Sequence, residues 1–141
     1  MSVFVDTGVF FAHHDRSASR HEDARALVDA ILDGEYGHPY TSDYVYDETV
    51  TLTRRRTGSF EAAKNVGDRI LGRGRFPEVF ETVVVDGGLF RQSVAAFERY
   101  DDQDLSFTDA ATLAVCDARD VDRVASFDDD FDGLVERVES A

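Results

Sequence analysis

At 141 residues with 43% hydrophobic content, the chain can bury one core without disulfides or a structural metal. No apolar run approaches the roughly 18 residues of a membrane span, no basic region precedes the N-terminal apolar run as in a secretory signal, and the single Cys116 excludes an internal disulfide, so the expectation is one cytoplasmic domain over residues 1–141. The net charge is −14 and Lys64 is the only lysine among 15 basic residues; such a surface suggests a halophilic archaeon and, taken alone, argues against a nucleic-acid partner.

Val3, Phe4 and Val5 form a continuous apolar run, the pattern of a parallel strand covered on both faces. The run stops at Asp6, and Thr7-Gly8 break it. An aspartate there either caps the next turn or sits where open α/β sheets bind ligands, beyond the carboxyl ends of their strands. Ser19 to Glu22 has capping-box spacing ahead of a helix with Ala24, Leu27, Val28, Ile31 and Leu32 on one stripe and Gly34 as its stop. His13, His14, His21 and His38 share no ligand spacing and read as ordinary surface residues. His38 to Thr41 reads as a second strand.

Ser42 suits an N-cap, with Asp43 in the first turn of a helix reaching about Arg55. Glu48 lies between Val45 and Leu52 on the apolar stripe. A carboxylate there needs a pairing group or a cation, unless its stem packs while its head reaches water. Arg54, Arg55 and Arg56 close the helix and serve either its dipole or bound phosphates.

Ser59 opens a further helix with Phe60, Ala63, Val66, Gly67, Ile70 and Leu71 inward; Gly72, Gly74 and Pro77 end it, and Arg73 and Arg75 there read as solvated. Thr82 to Asp86 is a strand candidate. Leu89, Phe90, Val94, Phe97 and Tyr100 make an amphipathic helix whose apolar face serves core packing or self-association.

Leu105 to Thr108 leads into a helix that is apolar nearly all round, with Asp109 in its first turn and Cys116 as a small core residue. The dipole alone would accommodate Asp109. Arg123 to Phe127 is the last strand candidate and runs into Asp128-Asp129-Asp130. Strand alternation would send Asp128 and Asp130 one way and Asp129 the other; a solvated acidic loop is the plain alternative.

In a parallel sheet Asp6, Glu48, Asp109 and Asp128 can converge at one edge. Together they would resist ionisation unless a hard divalent cation resolved the repulsion, and Mg²⁺ or Mn²⁺ suits an all-oxygen set. Val5-Asp6-Thr7, the inward Glu48, Leu105-Ser-Phe-Thr-Asp109-Ala and Ala125-Ser-Phe-Asp128-Asp-Asp-Phe131 together resemble PIN-domain ribonucleases, most closely their VapC-type toxin branch, over Met1 to about Val135.

The resemblance implies a three-layer α/β/α sandwich on a central parallel sheet. It also implies metal-dependent endonucleolytic cleavage of RNA, a cognate antitoxin and a homodimer. By position, Asp6, Glu48, Asp109 and Asp128 inherit the metal-ligand and catalytic roles, with Asp6, Asp109 and Asp128 in coordination and Glu48 on a second metal or the attacking water. Thr7 and Ser126 would support them, and Asp130 would be an outer ligand. Two rival readings remain at this level: a metal-dependent phosphatase or DNA nuclease on a similar sheet, and a non-catalytic PIN-like binding or scaffold domain.

Overall fold

The computed structural model describes residues 1–141. The chain runs β1 (Ser2–Val5), α1 (Thr7–His14), α2 (His21–Leu32), β2 (His38–Ser42), α3 (Asp43–Thr57), α4 (Phe60–Leu71), β3 (Glu81–Val83), α5 (Gly87–Arg99), α6 (Phe107–Arg119), β4 (Arg123–Ala125) and β5 (Glu136–Val138). The strands form one parallel sheet in the order β3-β2-β1-β4-β5. This is the three-layer arrangement expected from the sequence. Val3, Phe4 and Val5 point alternately to opposite faces and are each 0% exposed, so helices cover both sides of β1.

The topology fixes where a ligand would sit. From β1 the chain steps outward to β2 and β3, then crosses back to β4 on the other side of β1. Right-handed crossovers therefore place α1 to α4 on one face and α5 and α6 on the other. The reversal lies between β1 and β4, and the crevice at such a point opens beyond the strands' carboxyl ends. Asp6 and Ser126 follow those two ends, with the Asp6 N–H donating to the Ala125 carbonyl at 3.0 Å.

The caps of the middle helices form as their sequences dictate. Ser42 Oγ accepts from Val45 N at 3.2 Å and Ser59 Oγ from Ala62 N at 3.1 Å. Gly58 takes the left-handed conformation after α3, at φ 66°.

Other local expectations are corrected. Thr7-Gly8 do break the strand, but they also begin α1 directly, because Val9 and Phe10 bury against the sheet. The Ser19 capping box does not form: Arg20 is the N-cap of α2, without a side-chain bond, and Leu32 is 51% exposed. The third strand stops at Val83 instead of Asp86, since Val85 N donates to Asp43 Oδ1 at 2.9 Å and Asp86 turns to cap α5. The fourth stops at Ala125, and β5 was not expected. Phe60, Phe90 and Phe97 face outward, exposed 62%, 47% and 44%. Three of the histidines are tied into the fold: His21 Nδ1 lies 2.8 Å from the Ala12 carbonyl, and the Nδ1 atoms of His13 and His14 are buried without partners. Cys116 is buried, and desolvation pushes its thiol up to about 12, as a core residue requires. No helix is long and apolar enough to cross a membrane.

Candidate functional site

Asp6 stands where β1 hands over to α1, in extended backbone at the N-cap, yet its side chain makes no capping bond. Its carbonyl receives the first helical N–H groups, from Val9 and Phe10. That frees the carboxylate to turn toward the crevice. Asp6 Oδ2 accepts from Ser126 Oγ at 2.8 Å, while Oδ1 is buried with no protein partner. Thr7 Oγ1 beside it is also buried and unpartnered. Unpaired buried oxygens are costly, and their clustering suits them to an electropositive ligand.

Asp109 comes from α6. Ser106 and Asp109 form a capping box: Asp109 N donates to Ser106 Oγ and Ser106 N to Asp109 Oδ2, each at 3.1 Å. The second Asp109 oxygen is not used by the cap. Asp128 follows β4. Its N–H donates to Ser126 Oγ at 3.0 Å, and its Oδ1 accepts from Asp130 N at 2.9 Å. Ser126 therefore joins Asp6 to Asp128 through one hydroxyl.

Residues Asp129–Phe131 form a 3-10 turn, not a strand continuation. Phe131 anchors that turn at 0% exposure, which leaves Asp130 beside Asp128 and Asp129 outward. One oxygen from each of Asp109, Asp128 and Asp130 lies within 4.8 Å of the others, spacing that a single cation can bridge.

Asp6, Thr7, Glu48, Asp109, Asp128 and Asp130 line one cleft of about 470 Å³. Ser126 lies beneath it at 0% exposure. Glu48 reaches in from α3, half-buried. Arg54, Arg55 and Arg56 lie outside the cleft, exposed near the end of α3. Asp104 and Ser106 also line it, and sequence reasoning assigned neither a role. Ser106 could have been found as the cap partner of Asp109; Asp104 carries no signal beyond its place in a charged loop. A cavity of similar size between α5 and α6 is lined mostly by hydrophobic residues and holds none of the predicted acids.

Electrostatics agree with a cation site. Burial pushes Asp6 up to about 7, helped by the charges of Asp109 and Glu48 and opposed by the Ser126 bond. Burial likewise raises Asp109 to about 6, with Asp128 and Glu48 contributing repulsion. Acids this reluctant to ionise alone are suited to ionise around a divalent cation. The cluster is all oxygen, with no thiolate or imidazole in the cleft, which favours hard cations over zinc.

The PIN domain family profile matches residues 3–136. The chain is 25% identical over 118 residues to a VapC ribonuclease of Archaeoglobus fulgidus, covering 83% of this chain and 71% of that one. It is 29% identical over 136 residues to the 23S rRNA-specific endonuclease VapC20 of Mycobacterium tuberculosis, covering 95% and 96%. The crystal structure of that VapC20, described as a sarcin-ricin loop cleaving toxin, superposes with a TM-score of 0.80 over 94% of both chains at 29% identity. The Rickettsia felis VapBC2 complex, bound to a promoter DNA fragment, shares the fold at a TM-score of 0.71 and 10% identity, with 100% of both chains covered.

Proposed function

The chain belongs to the PIN-domain family, and from that premise we propose that it is a metal-dependent endoribonuclease of the VapC toxin type, hydrolysing phosphodiester bonds in structured RNA. The observation that carries this reading is the meeting of Asp6, Glu48, Asp109 and Asp128, from four elements, in one cleft with an unpartnered Asp6 oxygen. The named nuclease relatives speak for RNA hydrolysis over a small-phosphate or scaffold role, and ribosomal RNA is the first substrate to test.

Asp6, Asp109 and Asp128 are the proposed metal ligands, with Asp130 on the outer side, and Mg²⁺ or Mn²⁺ is the proposed ion. When bound, such an ion lowers the pKa of water and neutralises charge developing on the phosphate. Ser126 fixes the Asp6 carboxylate, and the Ser106 cap holds Asp109 in place. Glu48, which reaches the cleft from α3 with a side chain free of protein hydrogen bonds, orients the attacking water and accepts its proton. Thr7 offers its unpartnered hydroxyl to the bound ion's shell or the phosphate. Arg54, Arg55 and Arg56 supply positive charge for the RNA backbone.

A cognate antitoxin is the proposed protein partner, as the toxin–antitoxin complexes of the same fold suggest. A second copy is the other. What supports it is the outward apolar face of α5, where Phe90 and Phe97 flank Phe107 at 5.7 and 5.9 Å between centroids. That helix carries Arg91 and Arg99 against Glu98, so two acidic chains would meet there on a helix without net negative charge. The acidic surface further supports a halophilic source, and the free thiol of Cys116 a cytoplasmic site of action.

The test is incubation of purified protein with structured ribosomal RNA, duplex DNA and a small phosphate ester, with Mg²⁺, Mn²⁺ or chelator. Metal-dependent cleavage of RNA alone is expected, with Glu48→Gln lowering it about 100-fold or more. Cleavage that survives chelation, or turnover of the ester alone, would overturn the reading.

A further inference from the structure

In a chain of net charge −14, one groove is basic. It lies between α3 and α4, has a volume of about 520 Å³, and gathers Arg54, Arg55, Lys64 and Arg73 around a single carboxylate, Asp68. Lys64 and Arg73 both pair with Asp68, at 2.6 and 3.7 Å, whereas Arg54 and Arg55 make no ion pair within the chain. Four cations against one acid leave the groove with uncompensated positive charge. Its wall also carries Phe60, 62% exposed, with the Arg54 guanidinium 5.8 Å from its ring centroid.

The groove and the carboxylate cleft are both lined by α3. Glu48 and Arg55 are seven residues apart on α3, two turns along one stripe, so their backbones are separated by about 10 Å. A strand whose scissile phosphate sits beside Glu48 passes Arg55 next.

We propose that the α3–α4 groove holds the RNA flanking the cleavage site, with Arg54, Arg55, Lys64 and Arg73 on its phosphates and an unpaired base stacked on Phe60. The inference rests on the ribonuclease reading above. An acidic protein segment would satisfy the cations, but it has no use for an exposed aromatic ring flanked by a guanidinium. Single-stranded nucleotides use both: phosphates meet the guanidinium groups, and bases stack on aromatic and arginine planes. Because the acids elsewhere repel RNA, the groove supplies attraction only along one track, which orients the substrate before it reaches the cleft.

The test is fluorescence anisotropy with a labelled hairpin RNA in EDTA, where metal-dependent cleavage cannot proceed, on the full chain, Lys64→Gln/Arg73→Gln and Phe60→Ala. A poly-glutamate peptide is the second probe, and thermal melts check that the exposed substitutions leave the fold unchanged. The double variant is expected to bind hairpin RNA more weakly and to lower the slope of log affinity against log salt by about 1.4. Phe60→Ala is expected to weaken binding about tenfold with the slope unchanged. Cleavage of an RNA too short to span both regions should proceed at the wild-type rate in all three. Hairpin binding equal to wild type in both variants, beside normal cleavage, would overturn the groove alone. So would peptide binding that is lost in the double variant while RNA binding persists, which would assign the groove to an acidic protein. A wild-type protein that neither binds nor cleaves RNA would overturn the ribonuclease reading, and the groove with it.

Discussion

The Ser126 hydroxyl donates to Asp6 Oδ2 at 2.8 Å across 120 residues of sequence, and Ser126 Oγ in turn accepts from Asp128 N at 3.0 Å. One buried side chain thus sets the spacing between carboxylates from two neighbouring strands. Removing it should leave the fold standing while loosening the site.

For Ser126→Ala, RNA cleavage is expected to fall about 10- to 100-fold, the usual cost of losing a group that orients a metal ligand. The serine bond also lowers the Asp6 pKa, so its loss should move the pH needed for Mn²⁺ binding upward. Calorimetric titration with Mn²⁺ between pH 5.5 and 8.5 separates this from a general loss of stability. An unchanged pH dependence would deny Ser126 its positioning role.

Asp6 and Asp109 hold their protons more tightly in the fold, at about 7 and about 6, than an exposed aspartate does at 3.8. Ionising them therefore costs stability in the folded chain that it does not cost in the unfolded one. Their destabilising contribution is absent below the unfolded value, grows from about pH 4, and is complete above about pH 7. The melting temperature of chelated protein should fall through that window, whereas Mn²⁺ should raise it more at pH 8 than at pH 5. Scanning calorimetry across that range decides the matter; a metal effect larger at pH 5 would place the ion elsewhere.

Asp6→Asn removes both a proposed ligand and the charge that burial penalises. Cleavage should vanish, and the metal-free melting temperature should rise by a few degrees. Retained turnover in the purified variant would take Asp6 out of the mechanism. A lower melting temperature would show that the carboxylate is not a source of strain in the metal-free protein.

Phe97→Asp tests the outward face of α5. If that face meets a second copy, light scattering should show dimer for the wild type and monomer for the variant, with melting of the monomer little affected because Phe97 is already 44% exposed. A wild type that is monomeric at high protein concentration removes the second copy as partner.

Much of this architecture is legible in the chain because its signals are local. A central parallel strand must be apolar on both sides, and Val3-Phe4-Val5 is. Ser42 and Ser59 announce helices through bonds that span only three residues. The parts that escape are set by distant partners. Helix α1 has no capping side chain and begins Thr-Gly; it is held by Val9 and Phe10 against the sheet. Strand β5, Glu-Arg-Val, carries charges because it forms an edge beside β4. Phe90 and Phe97 have helical spacing, yet periodicity says nothing of what lies opposite a face. The placement of Asp130 depends on a 3-10 turn pinned by Phe131, where strand alternation has no bearing. Ser106 was hidden because its partner, Asp109, carried a more conspicuous reading.

The reversal of direction between β1 and β4 has a consequence in time as well as space. Translation delivers Asp6 well before Asp128, and the crevice is not whole until the returning strand is laid beside the first. A nascent chain whose β4 has not yet emerged lacks half of that crevice. Synthesis itself thus delays assembly of the site until β4 has emerged and docked.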